Sequence, residues 1–139
     1  MQKMFANCSS LESLDLSNLN SLEVKNMSNL FVDNEELIIL DLSTLDIEKC
    51  EDVSWMLGGC PDLEKVYIKT NWDLTGKGNI FGDYIKSGSY WIHTTISGFY
   101  YKAGSTLKAG SVMEDGQILE EDTYLEEDTY ISASSLGME

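Results

Sequence analysis

The chain has 139 residues, with 24 acidic against 9 basic side chains, and a formal net charge of −15. That balance excludes nucleic acid as a partner, because its phosphates would be repelled along most of the surface, and it opposes adsorption to anionic lipid. The length fits one ordinary domain or two small modules, and no run approaches the roughly 18 apolar residues that cross a bilayer. One proline and 42% apolar residues speak for a packed core rather than disorder. The opening "MQKMFANCSS" contains no basic segment followed by an apolar one, so it is not a signal peptide.

From the N-terminus a repeat governs the first half. "SSLESLDLSNL" at 9–19 is echoed by "EELIILDLSTL" at 35–45 and, more weakly, by "PDLEKVYIKTN" at 61–71. Leu11, Leu37 and Leu63 stand 26 apart, as do Leu14, Leu40 and Val66, and Leu16, Leu42 and Ile68. The preceding positions keep the same step: Met4-Phe5, Leu30-Phe31, Met56-Leu57, and Cys8, Asn34, Cys60. Each L-x-x-L-D-L-S predicts a short strand with its leucines inward and Asp15 and Ser17 outward. Val24, Met27 and Leu30-Phe31, spaced by three or four, predict a short helix on the opposite side. Each unit buries its leucines only against its neighbours.

"MFANCSSLESLDLS", followed by Val24 and Met27, resembles the BspA-like leucine-rich repeats of bacterial surface proteins over residues 1 to about 69. The resemblance implies a leucine-rich-repeat solenoid, secretion, and a part in adhesion or host contact. The third unit replaces D-L-S with "VYIKT", as expected where an array ends.

Cys8 and Cys60 fall in one slot two units apart, which separates them by about 10 Å at the usual strand spacing. That is too far for a disulfide. Cys50 takes the slot of Val24. All three read as small buried hydrophobes. The repeat starts in mid-unit, which reads as a piece of a longer protein whose signal peptide lies in a preceding part, with an open end covered by another chain as the alternative.

In the middle, "SYWIHTTI" and "GFYYKAG" predict two strands joined as a hairpin at Ser97-Gly98. This capping segment, 70–104, gathers Trp72, Trp91, Tyr100 and Tyr101 as a candidate aromatic patch that could stack on a glycan. His93, the single histidine, lacks a nucleophile or metal partner in the sequence and reads as structural.

From Ser105 the chain divides into hexads, "STLKAG SVMEDG QILEED TYLEED TYISAS". The third place holds Leu107, Met113, Leu119, Leu125 and Ile131, and the second holds Thr106, Val112, Ile118, Tyr124 and Tyr130. The acidic pairs between them predict turns. The hexads resemble those of left-handed parallel β-helices, which implies a coil with the aliphatic residues inward. Acyl transfer, known for that fold, depends on a histidine that this tail lacks. Its dense carboxylates suit only weak calcium binding, because neither EF-hand nor glycine-aspartate spacing is present.

The fold expected is therefore mostly β with short helices: a solenoid over 1–69, the cap, and a hexad-repeat β tail over 105–139. No enzyme activity, metal or cofactor is expected, since no nucleophile–base pair, phosphate loop or histidine–carboxylate cluster appears. The expected function is interaction, on the cell surface or outside the cell, with a protein or glycan ligand. The candidate face is the outward row Ser13, Asp15, Ser17, Ile39, Asp41, Ser43, Lys65, Tyr67 and Lys69, taken to be free of packing duty. The alternative is a structural subunit of an extracellular fibre, filament or phage tail, self-associating through the open solenoid end and the tail residues Leu107, Met113, Leu119, Leu125 and Ile131.

Overall fold

The 26-residue step returns as backbone register. The computed structural model of the chain describes residues 5, 13–15, 24–69, 72–82, 85–87 and 89–138. Strands β1 (Ser13–Asp15), β2 (Ile39–Leu42) and β3 (Lys65–Ile68) lie parallel, with Leu14 opposite Leu40 and Leu40 opposite Val66. Alternation then sends Leu40, Leu42, Val66 and Ile68 inward, where each is at most 2% exposed. Burying each such side chain contributes about 1.5–3 kcal/mol relative to leaving it in water.

The opposite side of each unit is a run of turns, not the helix that the apolar spacing predicts. Met27, Asn29, Phe31 and Asp33 donate their amides to Asp52, Ser54, Met56 and Gly58 of the next unit, each 25 residues on. Amides spent between units cannot close a helix within one. The backbone also turns left-handed at Asn29 and Asp33 (φ 58° and 61°) and again one unit later at Trp55 and Gly59 (61° and 68°). No α-helix accommodates such residues. Met27, Leu30, Phe31, Met56 and Leu57 still reach the core, fully buried. Asn26 and Asp52 pair across units, and each side-chain oxygen accepts the amide and hydroxyl of the serine two residues on.

The cysteine slot behaves as the spacing predicts where it is described. Asn34 donates to Phe5 O at 2.9 Å, and Cys60 donates to Phe31 O at 3.4 Å, each 29 residues back. Cys50 and Cys60 are free and buried, and burial pushes the Cys60 thiol up to about 11. Cys8 lies outside the described residues.

Past β3 the expected hairpin is replaced by a different pairing. β5 (Tyr90–Ile92) pairs antiparallel with β4 (Ile85–Ser87) before it, while β6 (Gly98–Tyr101) joins the main sheet parallel to β3. Phe99 and Tyr101 of β6 are buried, and Phe99 packs on Trp72 and Phe81. The inward demand of those two rings outweighs the short-range pull of the Ser97-Gly98 turn.

The hexads do not coil as a parallel β-helix; they pair antiparallel as a ribbon. β7 (Thr106–Leu107) pairs with β8 (Thr123–Tyr124), Val112 bridges Ile118, and β9 (Thr129–Ser132) returns to β6. The full sheet order is β1-β2-β3-β6-β9, all parallel except the last pair. "KAGS" turns at 102–105 and 108–111 face the acidic bends at 126–127 and 120–121. Gly104 donates to Leu125 O, and six residues on Gly110 donates to Leu119 O. Both glycines have positive φ, 87° and 94°, which these turns require. Asp128 Oδ1 accepts the Ala103 amide at 2.9 Å and Asp122 Oδ1 accepts the Ala109 amide at 2.9 Å. The doubled "LEEDTY" is thus one strand of the ribbon, and its aspartates clamp the two lysine-alanine turns opposite.

Leu107, Leu125 and Ile131 are buried, and Met113 and Leu119 pack half-buried on the same core. The tail residues expected to join chains therefore serve this chain's own interior. The ribbon tip bends back, with Ser132 N donating to Glu114 Oε2 at 2.5 Å and Tyr101 OH to Val112 O at 3.0 Å.

Candidate functional site

One register position runs across the five strands through Asp15, Asp41, Tyr67, Tyr100 and Tyr130, and from Asp41 onward it lies on the outward face of the sheet. Opposed residues on neighbouring strands share a face, so three tyrosines follow one another there. Tyr67 and Tyr100 are half-buried, and Tyr130 is 39% exposed. Tyr100 and Tyr130 meet edge to face with centroids 5.5 Å apart. Gly98 permits this: a Cβ there would lie 2.5 Å from both the Tyr130 hydroxyl oxygen and Ile131 O.

Charged groups tie the tyrosines together. Asp128 Oδ2 accepts from Lys65 Nζ at 3.0 Å and from Tyr67 OH at 2.8 Å. Lys65 lies over the Tyr100 ring at 4.7 Å, and Lys102 over Tyr67 at 5.4 Å. Lys102 Nζ also pairs with Asp41 Oδ2 at 2.9 Å. The Ala103 amide, then Tyr67 and Lys65, hold the Asp128 carboxyl down to about 2. The same carboxylate raises Lys65. Burial pushes Asp41 up, but the Ser43 hydroxyl and Lys102 outweigh it and leave it lowered. Burial first, then Asp128, raises Tyr67.

The candidate row is thus not free of structural duty. Ser43 closes the turn after β2 on Asp41, and Lys65 and Tyr67 anchor the ribbon through Asp128. Lys69 is exposed and pairs with Asp46 at 3.4 Å. Ile39, in register with Ser13 and Lys65, is 45% exposed. Ser17 lies outside the described residues.

The four aromatic residues do not form one patch. Trp72 is a core residue donating Nε1 to Leu45 O at 3.2 Å. Tyr101 is likewise 1% exposed, and burial pushes its hydroxyl up to about 12. Tyr100 belongs to the sheet face. Trp91, 62% exposed, stands beside a separate cleft, which exposed His93 also lines.

Sequence reasoning missed Tyr130, Lys102 and Asp128. For Lys102 and Asp128 the signal was present in the matched six-residue steps of "KAGS" and "EEDT", which pair an acidic place with a basic one. Among the described residues, no group of three or more His, Cys, Asp or Glu is placed to hold a metal ion. Among them too, no helix is long and apolar enough to cross a membrane.

The chain matches the family described as "Mycoplasma protein of unknown function, DUF285" over residues 1–84 of the 139. Neither the curated proteins nor the solved structures contain a match.

Proposed function

The chain belongs to the DUF285 family, which is found in BspA-like surface proteins, and from that premise we propose that it is a non-enzymatic interaction module of a bacterial surface or secreted adhesin-like protein. In this reading its 26-residue units are leucine-rich repeats of a solenoid, and a protein or glycan ligand binds the outward sheet face. The observation that carries it is the tyrosine row Tyr67, Tyr100 and Tyr130, flanked by exposed Ile39. Tyrosines braced by neighbours offer large contact area at low entropic cost, which is why they dominate binding hot spots. The alternative, a structural subunit of an extracellular fibre, draws less support from the tail, whose aliphatic residues pack within the chain.

The test applies the labelled chain to a panel of matrix proteins and neutral and sialylated glycans. Binding is expected, and Ile39→Asp and Tyr130→Ser should each abolish it while the chain stays folded at the binding temperature, the loss of the Tyr130–Tyr100 ring contact lowering the melting temperature by only a few degrees. Unchanged binding by both variants would move the site off this face. Light scattering on the same samples separates the alternatives: a ligand-binding module stays monomeric, whereas a fibre subunit polymerises.

A further inference from the structure

Away from the sheet face, a cleft of about 440 Å³ opens where three segments meet. Glu35 and Glu36 come from one repeat unit, and Pro61 and Asp62 from the same two places of the next, 26 residues on. The repeat therefore sets Glu36 and Asp62 in successive layers, about 5 Å apart at the usual strand spacing. Both are exposed. The third wall is the segment around Trp91 and Ile92, and the Trp91 ring is 62% exposed.

This wall is fixed to the units. Thr94 is 8% exposed; its hydroxyl donates to Leu57 O and accepts the Cys60 amide at 3.0 Å. The indole is thus held beside the stacked carboxylates.

We propose that this cleft binds a lysine or arginine side chain of a partner protein. The cationic head sits between Glu36 and Asp62, and its aliphatic stem lies on Trp91 against Pro61 and Ile92. Like charges stacked one layer apart repel, and a cation between them reverses the sign of that interaction. An indole face attracts the same cation and covers the stem. A neutral sugar would use the ring but leave the carboxylates uncompensated. The site is independent of the sheet face, so either can fail alone.

The probe is a short peptide, acetyl-Gly-Lys-Arg-Lys-Gly-amide, titrated into the full chain while the Trp91 indole N–H is followed by NMR. A glutamine version of the peptide and a neutral trisaccharide serve as comparisons. The basic peptide should shift Trp91 saturably and the glutamine version should not. Trp91→Ala, followed by the backbone amides of Glu36 and Asp62 because the indole is gone, and the double variant Glu36→Gln/Asp62→Asn, followed by the indole, should each weaken binding about tenfold. Because the charge substitutions fall on exposed residues, they should leave the fold intact, and unchanged amide spectra elsewhere would check this. The proposal is overturned if the double variant binds the peptide as well as the natural chain does. It is equally overturned if the shifts appear at Glu126 and Glu127 rather than Trp91, or if the trisaccharide moves Trp91 and the peptide does not.

Discussion

Leu40 and Leu107 are both fully buried, yet one lies in units of 26 residues and the other in a ribbon that repeats every six. In the units, burial does most of the holding: β2 and β3 carry two fully inward aliphatic residues each, and the back turns add more. Their polar side chains mainly shape turns locally, as Asn26 and Asp52 do. The ribbon has two-residue strands, with one buried leucine in β7 and none in β8. Its register depends on Asp122 and Asp128 reaching across to backbone amides. A long period can afford a core per unit, whereas a short one must pin each turn.

That contrast can be broken most forcefully in the units. Leu40→Ala should cost about 2–5 kcal/mol, read by urea unfolding, because it opens a cavity between two layers. If the ribbon keeps its amide protection while the units unfold, the two regions are separate folding units. Next, Gly98→Ala should cost about 1–3 kcal/mol, since its Cβ collides with backbone as well as with Tyr130. Hydrogen exchange should rise at β9 and stay unchanged at β2.

Acid should then distinguish the regions by chemistry. Asp128, held down to about 2, contributes stability that is present above the ordinary value near 3.9 and is lost as pH falls through 2. Asp122 and Asp41 are also lowered and act with the same sign. Between about pH 4 and pH 2, exchange should therefore accelerate at Ala103 and Ala109 before it does at Leu40. A simultaneous loss would show that burial, not the clamps, holds the ribbon. Asp128→Asn at neutral pH should give a smaller effect confined to β9 and Ala103. Asp122→Asn should be smallest, since its Lys108 partner is 3.5 Å away and largely exposed.

Much of this arrangement could be read from residue spacing, and the failures have physical causes. The 26-residue step located β1, β2, β3 and the cysteine slot because inward positions tolerate only apolar or small side chains. The hexads identified Leu107, Leu125 and Ile131 as inward for the same reason. Pairing direction stayed hidden, because a six-residue aliphatic step serves a parallel coil and an antiparallel ribbon equally well. The back helix was expected because turns of this kind also place apolar residues three and four apart. Asn29, Asp33 and Gly59 hinted at left-handed backbone, but Trp55 in the same place as Asn29 gave no such warning. The sheet-face network joins residues up to 63 positions apart, as Lys65 and Asp128 show, and no local pattern reports such a pairing.

The antiparallel return of β9 has a consequence for growth. Each parallel strand presents the next unit with the edge it needs, so a repeat array can in principle be copied onward without limit. β9 runs the other way, and Glu114 occupies its Ser132 amide. A further 26-residue unit arriving on that side would meet a strand of reversed polarity and an amide already in use. In the language of polymers, β9 is a chain-end unit: it reverses the polarity of the stack and spends one edge amide on this chain's own Glu114.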